Sequence, residues 1–233
     1  MTSCIIIVCV AVALLVWYIY SKNKKYDLKE LFIKTGISLL FVTLSLVATF
    51  CSGKMTLFNV FVIIGLTLGL IGDILLDLKY IDVNRTKGYT YSGFIAFGLG
   101  HIMFISALLM NYYNKSILYV LLALALDIVI SIITILMEKP LKLEYGKMKL
   151  IVFLYALCLF GTFSTCLFLA IQNGFSILPL NMFLIGAGLF AISDLILSGT
   201  YFGKGKERLI DFILNYSTYY SAQFVIAFLL LYL

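Results

Sequence analysis

LFNVFVIIGLTLGLIGDILLDL, residues 57–78, reads as one membrane-crossing helix with a single interrupted face. About 30 Å of hydrocarbon takes roughly twenty apolar residues in helical form, and this run supplies them. Gly65, Gly69, Asp73 and Asp77 recur every fourth residue, so they stack on one side. The glycines let another helix come close. A carboxylate inside such a run costs about 2.5–3.5 kcal/mol on insertion scales, so Asp73 is expected to face a polar interior rather than lipid.

The rest of the chain has the same character. Of its 233 residues 63% are hydrophobic and 12% charged, with a mean hydropathy of +1.11. Soluble domains are nearer 45–50% apolar and about 25% charged. Apolar segments recur at 4–20, 31–51, 57–78, 91–110, 117–137, 150–171, 175–197 and 209–233. The connections are too short for a soluble domain. The expectation is an all-α polytopic membrane protein, one domain over 1–233, with eight transmembrane helices. The N-terminus lacks a basic stretch and a small-residue cleavage site, so it reads as the first span rather than a removable signal.

Charge gives the orientation. Lys22, Lys24, Lys25 and Lys29 sit in the first loop, and Lys79, Arg85 and Lys87 in the third. Lys139, Lys142, Lys147 and Lys149 occupy the fifth, and Lys204, Lys206 and Arg208 the seventh. The even loops carry only Lys54 and Lys115. Basic loops stay on the cytoplasmic side, which puts both termini on the other. The net charge of +6 therefore reports topology and anionic headgroups, and no basic face for nucleic acid emerges. A bacterial cytoplasmic membrane or an endoplasmic reticulum membrane suits this pattern. Cys4, Cys9, Cys51, Cys158 and Cys166 form no CxxC pair and read as small apolar residues.

With the topology fixed, polar residues sort by depth. Asp73 and Asp194 lie at nearly the same level near the cytoplasmic ends of spans three and seven. Lys34 opens span two, where it either snorkels to headgroups or meets a lipid phosphate. Asp77 falls at the water boundary beside Lys79. Asp211 opens span eight, and His101 lies about halfway across span four, as a base, shuttle or packing residue. Asp127, midway in span five, stands apart. Tyr219, Tyr220 and Gln223 lie inside span eight and need partners, as cavity lining or as interhelical glue. LIGDILLDL in span three and AISDLILSG in span seven run in the same direction, which hints at a parallel four-helix repeat.

Two carboxylic acids in one apolar site form a usable acid–base pair. Low dielectric favours the uncharged acid, and two close carboxylates resist ionising together. A single histidine excludes a three-histidine zinc site, while oxygen ligation of a divalent ion by Asp73, Asp77 and Asp194 stays open. No Gly-x-Ser-x-Gly elbow is present, which argues against an ordinary serine esterase.

The chain resembles the YhhN-type lysoplasmalogenase family, whose vertebrate members are eight-helix membrane hydrolases. The matching pieces are Gly72-Asp73 with Leu76, Gly100-His101 with Phe104, Ser193-Asp194 with Leu197, and Tyr220-x-Ala222-Gln223. Lys34 and Tyr155 match more weakly, and Thr35 stands where the family often has proline. The resemblance implies hydrolysis of the vinyl ether of a lysophospholipid to a fatty aldehyde and glycerophospho-ethanolamine or -choline, with no cofactor or metal. It implies Asp73, Asp194 and His101 as catalytic residues. Lys34, Asp77, Tyr155, Ser193, Tyr220 and Gln223 would then contact substrate. A proton-coupled transporter and a non-catalytic lipid-binding membrane protein are the competing readings. The oligomeric state is not legible.

Overall fold

A computed structural model of the chain describes residues 1–21, 28–113, 116–203 and 208–233. Lys22, Lys24, Lys25, Lys115, Lys204 and Lys206 lie outside the described residues, so the loop assignments of these six go with the sequence alone.

Eight long helices make up the described residues: α1 (Thr2–Ser21), α2 (Leu28–Ser52), α3 (Leu57–Ile81), α4 (Thr86–Tyr112), α5 (Ile117–Leu136), α6 (Lys149–Gln172), α7 (Leu178–Phe202) and α8 (Leu209–Phe228). Their starts are written locally. Thr56 caps α3 by accepting from the Asn59 backbone N–H, and Asn59 reaches back to the Thr56 N–H at 3.0 Å. Pro179 occupies the first turn of α7, where its missing N–H costs nothing. Gly53 closes the α2–α3 turn at φ +69°, a left-handed conformation that glycine tolerates. The α4 and α7 helices run longer than their apolar segments, because their ends near the basic loops are polar but still helical.

Among the described residues, seven helices are long and apolar enough to cross a membrane. The eighth expected span, α8, falls short on apolarity. Its Asn215, Tyr219, Tyr220 and Gln223 are buried against the other helices, so polar side chains here serve the interior rather than lipid.

Helix packing makes a closed ring in the order α2–α3–α4–α6–α7–α8 and back to α2. The α1 helix lies outside on α2 and α8, and α5 lies outside on α6. The neighbours have a two-fold regularity: α2 against α3 corresponds to α6 against α7, and α3 against α4 to α7 against α8. That is the arrangement a parallel four-helix repeat produces. It sets α3 and α7, the two helices with paired aspartates in view, on opposite sides of the ring.

Close approach depends on missing side chains, because lipid is as apolar as leucine and gives helices little reason to associate by burial alone. The ring of Phe104 fills the space beside Gly65, and Phe97 that beside Gly72. A Cβ on Gly100 would meet the carbonyl oxygen of Gly65 at 3.0 Å, so α3 and α4 touch backbone to backbone. Gly69 instead receives the Gln223 amide of α8. The glycine stripe of α3 thus serves two neighbours.

A bulky residue at that crossing has to push the helices apart. Gly100→Leu is expected to destabilise the protein by roughly 1–3 kcal/mol or more, read as a lower thermal unfolding temperature in detergent. Gly36→Ala, with nothing within 4 Å of the added methyl, is the matched control and should not lower it.

Candidate active site

The ring encloses a cavity of about 1150 Å³ toward the basic-loop end. Asp73 from α3 and Asp194 from α7 both line it, so the two acids read as a pair from sequence do share one chamber. Phe94, Phe97, Leu159 and Phe160 line it within the helices, while Tyr20, Tyr80, Thr200 and Arg208 line it near the basic loops.

Asp73 is 4% exposed and surrounded by donors. Ser38 donates to its Oδ2 at 2.7 Å, and Tyr219 donates to the same oxygen at 2.7 Å. The Lys34 ammonium stands 3.6 Å from Oδ1. Gln223 Nε2 donates to the Tyr219 hydroxyl at 3.0 Å, which leaves the phenol proton to go to Asp73. The Tyr220 hydroxyl lies 3.2 Å from Ser38 Oγ and 3.3 Å from the Lys34 carbonyl. Each of these residues sits on one helix face for a simple reason. Lys34 and Ser38 are four apart on α2, and Tyr219 and Gln223 are four apart on α8.

Lys34 departs from its expected surroundings. It is buried and donates to Asp77 Oδ1 at 2.8 Å, bridging the two acids of α3 instead of snorkelling to headgroups. Asp77 is 2% exposed, not solvated at a boundary, because the lysine draws it inward. The bridging ammonium occupies the place a divalent ion would need between Asp73 and Asp77. A Tyr216 ring faces the same ammonium at 5.3 Å from its centroid.

Asp194 has a different environment. The Tyr155 hydroxyl donates to its Oδ2, and no cation pairs with it among the described residues. Tyr155 lines the cavity and is held by ring contacts with Phe94 and His101. The interval from Lys34 to Tyr155 equals the interval from Asp73 to Asp194. The two halves of the ring therefore present the same pair of positions, with an ammonium opposite one acid and a phenol opposite the other.

Two further expectations need correction, for His101 and for Tyr220 with Gln223. His101 does not touch either aspartate and does not line the cavity: its Nδ1 meets Thr162 Oγ1 at 3.1 Å. Thr162 in turn donates to the Cys158 carbonyl at 3.0 Å, so it accepts from Nδ1–H, and Nε2 is left as a bare acceptor packed among Phe104, Tyr155 and Phe190. Ser193 does line the cavity, held to α8 by donating to the Asn215 carbonyl at 3.2 Å while Asn215 Nδ2 donates to its oxygen at 2.9 Å. Tyr220 and Gln223 stand behind the first layer, supporting Ser38 and Tyr219 rather than facing the cavity. Asp211 pairs with Arg208, with two bonds of 2.8 Å, and stays outside the cluster.

Asp127 does stand apart, as depth alone indicates. It accepts from Ser131 at 3.2 Å beside a separate space of about 100 Å³ between α5 and α6. Ser38 and Tyr219 are the contacts that sequence reasoning did not assign to Asp73. The four-residue step from Lys34 to Ser38 was the available signal for one of them.

Residues 29–230 match the sequence model described as the YhhN family. No curated protein and no solved structure matches the chain.

Removing the shared cation strands two buried carboxylates. Lys34→Met should cost about 3–5 kcal/mol of stability. Adding Asp77→Asn to that variant should restore part of the loss, because one uncompensated charge goes with it; a denaturation series in detergent measures both.

Proposed function

Because the chain belongs to the YhhN family, we propose that it is a membrane hydrolase that cleaves the vinyl ether of a lysoplasmalogen. The products are a fatty aldehyde and glycerophospho-ethanolamine or -choline. The observation that carries this reading is the pair of carboxyl groups, Asp73 and Asp194, entering one largely apolar chamber from opposite sides of the ring.

A vinyl ether has no good leaving group until it is protonated, and protonation occurs at carbon. The proton adds to the carbon farther from the ether oxygen and the double bond is lost. The remaining cation is shared between carbon and oxygen. Water then adds to the cationic carbon and gives a hemiacetal, which collapses to aldehyde and glycerol hydroxyl. The reaction needs one carboxylic acid to give a proton and one carboxylate to stabilise the cation and take a proton from water. Glycosidases solve a related problem with two carboxyl groups in unlike surroundings. Unlike surroundings are what Asp73 and Asp194 have.

The chamber also suits the substrate. Its volume exceeds that of most small-molecule pockets, which run to roughly 1,000 Å³, and its aromatic and aliphatic wall fits a single hydrocarbon chain. The polar residues near the basic-loop end, with Arg208 among them, suit a phosphate-bearing headgroup. By the loop charges, that end belongs at the cytoplasmic leaflet.

Protein purified in detergent and given a lysoplasmalogen should release aldehyde with no ion gradient present. Absence of aldehyde, together with proton-driven uptake in vesicles, would overturn the hydrolase in favour of a carrier. Asp73→Asn and Asp194→Asn should each lose at least about 100-fold in turnover, the scale of a lost acid or base. His101→Gln should keep turnover within about tenfold of the parent, since the imidazole packs beneath the chamber rather than entering it.

A further inference from the structure

We propose that Asp194 is the proton donor and Asp73 the standing carboxylate, with Tyr155 as the positioning residue that aims the acid. The proposal rests on the vinyl ether reading and adds a direction to it.

The partners of each acid carry the argument. Two hydroxyls donate to Asp73 Oδ2, Ser38 and Tyr219 at 2.7 Å each, and the Lys34 ammonium stands 3.6 Å from Oδ1 as an ion-pair partner. Tyr219 already accepts from Gln223, so its proton has Asp73 as its acceptor. Two hydrogen bonds on one oxygen and a cation beside the other favour an ionised carboxylate, because a proton on Oδ1 would face the ammonium. Asp194 has one donor, the Tyr155 hydroxyl on Oδ2, and no cation pairs with it among the described residues. An acid at this depth without a counter-charge is stable in its neutral form. Its Oδ1 is then free to carry the proton toward the chamber.

The repeated geometry gives a second, independent line. Lys34 and Tyr155 occupy corresponding positions in the two halves of the ring, each facing the aspartate of the next helix. At the same interval Leu159 stands where Ser38 does, Ser198 where Asp77 does, and Gly98 where Tyr219 does, so the half around Asp194 lacks the other polar partners as well. An ammonium in one half and a phenol in the other make two like acids behave unlike each other.

The steps balance. The Asp194 proton forms a C–H bond at the distal vinyl carbon as the double bond breaks, leaving Asp194 ionised. Water adds to the cation, and its proton passes to Asp73. The Asp73 proton then goes to the glycerol oxygen as the C–O bond breaks, and the hemiacetal hydroxyl proton returns to Asp194. Both acids end as they began, with one water consumed.

Infrared spectroscopy of the resting protein tests this without substrate. The sample is the full chain in an ester-free detergent at neutral pH, carrying aspartate labelled with carbon-13 at the side-chain carboxyl. Asp194→Asn should remove one label-shifted band of protonated carboxyl, and Asp73→Asn should remove none. Tyr155→Phe should move that same band to higher frequency, since a hydrogen bond to the carbonyl is lost. The Tyr155→Phe result stands even if an aspartate variant does not fold. Loss of the band in Asp73→Asn, or a band unmoved by Tyr155→Phe, overturns the assignment. A protein that makes no aldehyde but gives the expected bands would instead overturn the hydrolase reading alone.

Discussion

One buried ammonium organises this protein. Lys34 reaches across from α2 to lie between Asp73 and Asp77 of α3, with all three side chains nearly sealed from solvent. Isolated charges at this depth cost several kcal/mol each, and only mutual pairing with added hydrogen bonds offsets that. The constraint spreads outward. Ser38 and Tyr219 have to supply hydroxyls to Asp73, Gln223 has to orient Tyr219, and Tyr216 has to face the ammonium. As a result α8 is too polar to stand as a membrane span on composition, although it completes the ring. The most unusual helix in the chain is explained by the charge it helps to hold.

The same network leaves Asp194 alone by comparison. Its setting is a phenol and an apolar wall, and the cavity lies between it and the crowded acid opposite. Helices packed through glycine contacts at α3 and α4 keep the crowded side rigid, since Phe97 and Phe104 fill space that any Cβ on Gly72 or Gly65 would claim. A rigid scaffold would serve the proposed hydrolysis, whose short-lived cation needs the groups that meet it to be in position beforehand.

Depth was legible in the sequence, and azimuth was not. Hydropathy and loop charge ordered the spans, and the four-residue stripe of α3 correctly put Gly65, Gly69, Asp73 and Asp77 on an inward face. Depth also brought Asp73 and Asp194 to one level. But His101 and Asp211, at usable depths, turn toward Thr162 and Arg208. A helix with apolar residues all round gives little sign of which neighbour each face will meet, and α4 is such a helix. Taken singly, Lys34 and Asp77 each belong at the membrane boundary; only as a pair are they stable inside. Tyr219 and Tyr220 are adjacent in sequence, and a turn of 100° per residue decides that the first touches Asp73 while the second supports Ser38.

The proposed hydrolysis requires the reacting double bond to lie between the two unlike acids. An experimental structure with a saturated 1-O-alkyl lysophospholipid tests it directly, because that lipid matches the substrate but has no double bond to protonate. The expected result is the first two chain carbons within contact of both Asp73 and Asp194, the phosphate near Arg208 and the tail along Phe94, Phe97, Leu159 and Phe160. A lipid bound elsewhere, or with its ether oxygen remote from either carboxyl group, would contradict it.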